Sequence, residues 1–127
     1  MVNHRKKVLL IIESSRSFGR NLLAGVRKYS LTHGFWLFEV LSPLSIQNVH
    51  GNELRKKIIG WAPDGIIMRE IDQLETIYKI GVPTIVSYHN KKKYRELPII
   101  RGNHFKNAKM GFKHLVNKGY KNLAYCG

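Results

Sequence analysis

The chain has 127 residues, 43% of them hydrophobic and 24% charged, proportions of one globular domain that exclude a disordered polyelectrolyte. Its 22 Lys+Arg against 8 Asp+Glu give a formal charge of +14, so polyanions have to be considered as partners from the outset. The single cysteine, Cys126, excludes an internal disulfide and suits a reducing cytoplasm. Val8–Ile12 is the first apolar run. It is five residues long, against the ~20 that a membrane span needs. Arg5, Lys6 and Lys7 precede it as in an export signal, but a signal's apolar region runs ~7–15 residues, and this one ends at Glu13. Its unbroken hydrophobicity predicts a strand buried on both faces, as in a parallel sheet covered by helices.

Glu13-Ser14-Ser15-Arg16-Ser17 is a polar break rich in potential helix caps. Phe18, Leu22, Val26 and Tyr29 then recur on one helical face, and His33-Gly34 closes that helix. Phe35–Leu41 reads as a second strand, and Ser42–Asn52 as a loop. Glu53–Gly60 offers a short helix with Leu54, Ile58 and Ile59 inward; the turn signal Ala62-Pro63-Asp64-Gly65 leads into a third strand, Ile66-Ile67-Met68. Ile71, Leu74, Ile77 and Tyr78 mark another helix, and Thr84–Ser87 a fourth strand entered through Pro83. Asn90–Pro98 is a Lys-rich connection, and Ile99-Ile100-Arg101 a short strand. Phe105, Ala108, Phe112, Leu115 and Val116 define a last helix from Asn103 to Lys118, and Leu123–Cys126 reads as a final strand. The alternation predicts an α/β fold: a doubly wound parallel sheet of about five strands. The final strand has no helix after it, so the chain reads as part of a larger protein, truncated at Gly127.

In such sheets ligands bind beyond the carboxyl ends of the strands. The residues there are Glu13–Phe18, Met68–Glu70, Ser87–Asn90 and Asn103. Hydroxyls, a carboxylate and a guanidinium next to a helix N-terminus suit a polyhydroxylated ligand or an anion. The plainer alternative is one capping serine, a surface Arg69–Glu70 pair and solvated loop residues around His89. Six scattered histidines show no metal-ligand spacing, and no cofactor is expected.

Enzymatic readings lack their residues. No G-x-G-x-x-G follows the first strand, and there is neither a P-loop nor a G-x-S-x-G elbow. A phospho-acceptor receiver would need an acidic pair after strand one and an Asp after strand three; Glu13 stands alone, and Arg69 follows Met68. The expectation is a non-enzymatic protein. The charge lies at the ends, +6 over residues 1–30 and +9 over 91–127, with −1 between. Lys106, Lys109 and Lys113 lie on one helix, but Gly119 follows it instead of a second helix, so no helix-turn-helix is present. Those lysines suit a solvated surface or salt-sensitive, non-specific attraction to nucleic acid.

Val82–Val86, the run His114-Leu115-Val116-Asn117-Lys118-Gly119-Tyr120 continuing to Gly127, and Asp64-Gly65-Ile66-Ile67 resemble segments of the periplasmic-binding-protein-like effector domains of bacterial transcription regulators. Phe18–Tyr29, placed directly after a strand, is similar to the xylose-operon regulators, in which such a sensor precedes an AraC-type DNA-binding domain. The resemblance covers nearly the whole chain, and part of it is shared with the wider LacI-like and sugar-binding superfamily. It implies the N-terminal lobe of a cytoplasmic sugar sensor whose second lobe and DNA-binding domain lie outside residues 1–127.

The implied partners are a monosaccharide effector, xylose or another, operator DNA through that other domain, and a second copy in a homodimer, with no membrane. By the same resemblance Ser14, Ser15, Arg16 and Phe18 fall in the first ligand-facing loop, Arg69 and Glu70 in the second, and Tyr88 in the third. Asn103 stands where the family usually has Asp. A solute-binding protein of a sugar transporter and a small basic α/β protein with non-specific nucleic-acid affinity are the alternatives.

Overall fold

Strand pairing carries the architecture. The computed structural model describes residues 4–87 and 96–126, and among them five strands form one all-parallel sheet. In chain order the elements are β1 (Lys7–Ile11), α1 (Ser17–Thr32), β2 (Leu37–Leu41), α2 (Pro43–Ile46) and α3 (Gly51–Trp61). They continue with β3 (Gly65–Arg69), α4 (Leu74–Tyr78), β4 (Thr84–Ser87), β5 (Ile99–Ile100) and α5 (His104–Asn117). The strand order is β2-β1-β3-β4-β5. The connections therefore reverse direction between β1 and β3, and this places a crevice beyond their carboxyl ends.

The continuous apolar character of β1 follows from its place inside the sheet. Leu9 and Ile11 point to one face, where they join Ile66, Met68 and Val86 under Leu54 and Ile58 of α3 and Leu74 and Ile77 of α4. Val8, Leu10 and Ile12 point to the other face, where Leu22, Leu23 and Val26 of α1 cover them. Each fully buried aliphatic side chain removes enough apolar area from water to contribute roughly 1.5–3 kcal/mol before entropy is subtracted. The sheet is thus doubly wound, with α1 on one side and α2, α3 and α4 on the other.

Two local devices set the register. The Ser30 side chain is buried, and its Oγ accepts the Trp36 N–H at 2.8 Å while the Ser30 carbonyl accepts the Phe35 N–H at 2.9 Å. This folds the chain back through Gly34 (φ 117°) and Phe35 (φ 51°) into β2. At the start of β3, Asp64 donates its N–H to the Lys7 carbonyl at 2.8 Å, and its Oδ2 accepts the Lys7 N–H at 2.7 Å. That backbone donor, aided by the charges of Lys6, His4 and Lys7, holds the Asp64 carboxyl below its ordinary pKa of 3.8 against a smaller opposing effect of burial.

Several sequence expectations are corrected. Leu123–Cys126 forms no strand, and Tyr125 is 94% exposed. Residues Ser42–Asn52 are not a loop throughout: α2 occupies Pro43–Ile46, with Pro43 at its first position, and α3 begins at Gly51. The helix expected from Ile71 is confined to Leu74–Tyr78. Tyr29 leaves the core-facing stripe of α1, is half exposed, and stacks on His33 with ring centroids 3.7 Å apart. No residue of α5 is buried, although Phe105, Phe112, Leu115 and Val116 share its apolar side. A crossover helix in a parallel sheet is held by the strands at both of its ends. Here α5 is anchored at one end only, by the two residues of β5, and the segment after it pairs with no strand.

Candidate functional site

The carboxyl ends of β1, β3 and β4 enclose a cavity of about 450 Å³ together with the N-terminal turns of α1 and α5. Glu13 enters it directly after β1. Arg69, the last residue of β3, reaches it from the neighbouring strand, and the two meet as an ion pair, Arg69 Nη1 donating to Glu13 Oε2 at 3.1 Å. Their side chains are 40% and 25% exposed, so water screens the pair and its energetic worth is small. Its role is geometric: it pins the β1–α1 loop to the end of β3.

The loop is braced again from above. The Ser15 hydroxyl donates to Glu13 Oε1. Arg20 of α1 donates through Nη1 to the carbonyl oxygens of Ser14 (3.2 Å) and Ser15 (2.7 Å). Gly19 is buried against this loop, where a Cβ would overlap the Glu13 carbonyl oxygen and stand 2.9 Å from its carbonyl carbon. Only glycine lets α1 approach β1 this closely. On the floor, Ser87 is 1% exposed and its Oγ donates to the Met68 carbonyl at 3.3 Å, tying β4 to β3.

Of the residues expected at the site, Arg16, Phe18 and Arg69 line this cavity. Ser14 and Ser15 do not line it; they shape its rim through the bonds to Arg20 and Glu13. Glu70 is half-buried just beyond β3 and is not part of the lining. Asn103 turns its side chain to its own helix, Oδ1 accepting the Lys106 N–H at 2.9 Å as the N-cap of α5. Tyr88 and His89 lie outside the described residues. None of the serines expected to cap α1 does so: Arg16 occupies the N-cap position and makes no side-chain cap bond.

Sequence reasoning missed Arg101, Gly102, His104 and Asn107, which the β4–β5 pairing brings to the same cavity. Their signal was available in part, because a residue just after a parallel strand lies at the ligand end of the sheet. The arrangement combines an aromatic wall (Phe18), a buried hydroxyl (Ser87), an amide (Asn107) and several guanidinium groups. Such a mixture holds a small, hydrogen-bonding ligand by orientation of a few polar groups against an apolar wall. Among the described residues no group of three or more His, Cys, Asp or Glu side chains is placed to hold a metal ion, and no helix is long and apolar enough to cross a membrane.

The sheet order and the position of this crevice are those of doubly wound α/β folds that take ligands at the switch point. A likeness to a solved structure makes the fold periplasmic-binding-protein-like: the chain is similar to a periplasmic binding protein/LacI transcriptional regulator from Alkaliphilus metalliredigens QYMF complexed with D-xylulofuranose. The TM-score is 0.67 at 16% sequence identity, over 91% of this chain. The chain spans 42% of that structure's length. No protein-family model and no curated protein matches it.

Proposed function

We propose that the chain is the ligand-sensing portion of a DNA-binding transcriptional regulator of sugar catabolism, and that its effector is a monosaccharide, xylose or a related pentose. The observation that carries this reading is the cavity at the β1/β3 switch point, with Phe18 as a wall and Arg16, Arg69 and Ser87 as hydrogen-bonding groups. The sugar held by the similar Alkaliphilus protein supports it. In this reading the chain is cytoplasmic, performs no catalysis and acts within a homodimer. DNA is read by a domain of AraC type outside residues 1–127. Sugar works by binding one arrangement of the regulator better than another, and the shift can be no larger than that difference in affinity.

Titration calorimetry of the protein with xylose, xylulose, ribose and arabinose tests the proposal. A saturable heat with at least one pentose is expected; no heat and no thermal stabilisation with any monosaccharide would refute it. A second reading, the solute-binding protein of a sugar transporter, is favoured by the other half of the Alkaliphilus protein's description, periplasmic binding protein. Fractionation of cells expressing the intact gene separates the two: the regulator stays with the cytosol, the transporter component leaves it.

A further inference from the structure

The charge lining the cavity is unbalanced, and a neutral sugar satisfies its hydrogen-bond donors but not its charge. Among the described residues that line it, three carry guanidinium groups, Arg16, Arg69 and Arg101, and one a carboxylate, Glu13. Glu13 is already committed on both oxygens, to Arg69 Nη1 at 3.1 Å and to the Ser15 hydroxyl. The guanidinium groups of Arg16 and Arg101 have no hydrogen-bond or ion-pair partner among the described residues. The N-terminus of α1 adds to the same field. Its first turn contains no acidic residue, and among the described residues no N-cap side chain bonds its first amide N–H groups, beside the cavity wall at Phe18 and Gly19. The first turn of α5, which brings His104 and Asn107 to the cavity, is also free of acidic residues.

We infer that the effector is an anionic sugar, its phosphate or carboxylate group held between Arg16 and Arg101. This rests on the sugar-sensing reading above and adds the charge of the ligand to it. A guanidinium offers five donors and no acceptor, in a planar fork that matches the oxygens of phosphate or carboxylate. A ligand that fills the cavity displaces water from both cations. Sugar hydroxyls replace the lost hydrogen bonds but not the lost charge stabilisation, whereas an anionic group replaces both. Phosphate and carboxylate share this chemistry and differ in charge and shape, so the experiment contains an arm for each.

The intact regulator is titrated with D-xylose, D-xylose 5-phosphate, D-xylonate and inorganic phosphate, and the titrations are repeated on its Arg16→Gln and Arg101→Gln variants. Both side chains are exposed, and circular dichroism confirms that each variant is folded. The expected result is that one of the two anionic sugars binds about tenfold or more tightly than xylose. Each variant then loses about tenfold or more of that affinity, the weight of a charge-assisted hydrogen-bonding partner. Its affinity for xylose falls by a much smaller factor, and raising salt from about 0.05 to about 0.5 M weakens only the anionic ligands. Xylose binding as tightly as both anionic sugars, with no effect of either variant, overturns the inference and leaves sugar sensing intact. Inorganic phosphate binding as tightly as xylose 5-phosphate supports the anion site and overturns sugar sensing. Absence of binding by all four probes overturns both.

Discussion

Replacing Gly19 by alanine is the sharpest probe of how the cavity is built. In an exposed helix interior, Gly→Ala is stabilising by about 0.5–1 kcal/mol, because glycine has more conformational freedom to lose. Gly25, two turns further along α1, is such a position: a Cβ there meets nothing within 4 Å. At Gly19 the same methyl would overlap the Glu13 carbonyl oxygen, lie 2.9 Å from the carbonyl carbon and stand 3.4 Å from Ile12 Cγ2. The first two contacts are with backbone, which cannot rotate away as a flexible side chain can. The first turn of α1 or the β1–α1 loop must therefore shift, and overpacking of this kind costs about 1–3 kcal/mol.

The expected net effect of Gly19→Ala is a destabilisation of about 1–2 kcal/mol once the helix-propensity gain is subtracted. Gly25→Ala is expected to stabilise by about 0.5–1 kcal/mol. Urea unfolding reads both: the midpoint falls for the first and rises for the second, with the slope unchanged in each. A Gly19→Ala protein with a midpoint at or above that of the wild type would refute the close approach of α1 to Glu13. It would also remove the reason for placing Arg16 and Phe18 over the end of β1.

Ser30→Ala leaves the half-buried Trp36 N–H without its 2.8 Å acceptor and is expected to cost about 1–3 kcal/mol, read as a lowered urea midpoint. Ile58→Ala, at a side chain 1% exposed between α3 and the sheet, is expected to cost about 2–5 kcal/mol in the same assay, whereas its exposed neighbour Ile59→Ala has little effect. Asp64 has a folded pKa below 3.8, so the folded state binds fewer protons than the unfolded chain. Its contribution to stability is complete above about pH 3.8 and is lost as the pH falls through the lowered folded value. Asp64→Asn is therefore expected to flatten the acid limb of the stability curve and leave its pH dependence near neutrality unchanged, as followed by thermal unfolding across the acid range.

Much of the sheet was legible in the sequence because burial on both faces leaves a local mark. Val8–Ile12, Ile66–Met68 and Thr84–Ser87 read as strands from composition alone, and each lies in or against the sheet. Leu22, Leu23 and Val26 likewise announced the face of α1 that covers β1. Periodicity shows that a helix has an apolar side but says nothing about whether a partner meets it: Phe18 lines the cavity, and Phe105 and Phe112 of α5 stay exposed. The final strand failed for the same reason, since Leu123–Cys126 has strand composition but pairs with no strand among the described residues.

The candidate site divides along that line. Its loops were legible, because residues following a parallel strand must lie at one end of the sheet. Which side chains meet there was not. The Glu13–Arg69 pair joins residues 56 apart in sequence, and it exists because β3 lies beside β1. Arg101 reaches the same cavity because β5 lies beside β4. The sequence by itself determined the class of fold, the excess of positive charge and the end of the sheet where a ligand would sit, all of which follow from short-range pattern. The order of the strands rests on long-range packing, and it alone decided that this excess charge includes two guanidiniums that line one cavity without a partner among the described residues.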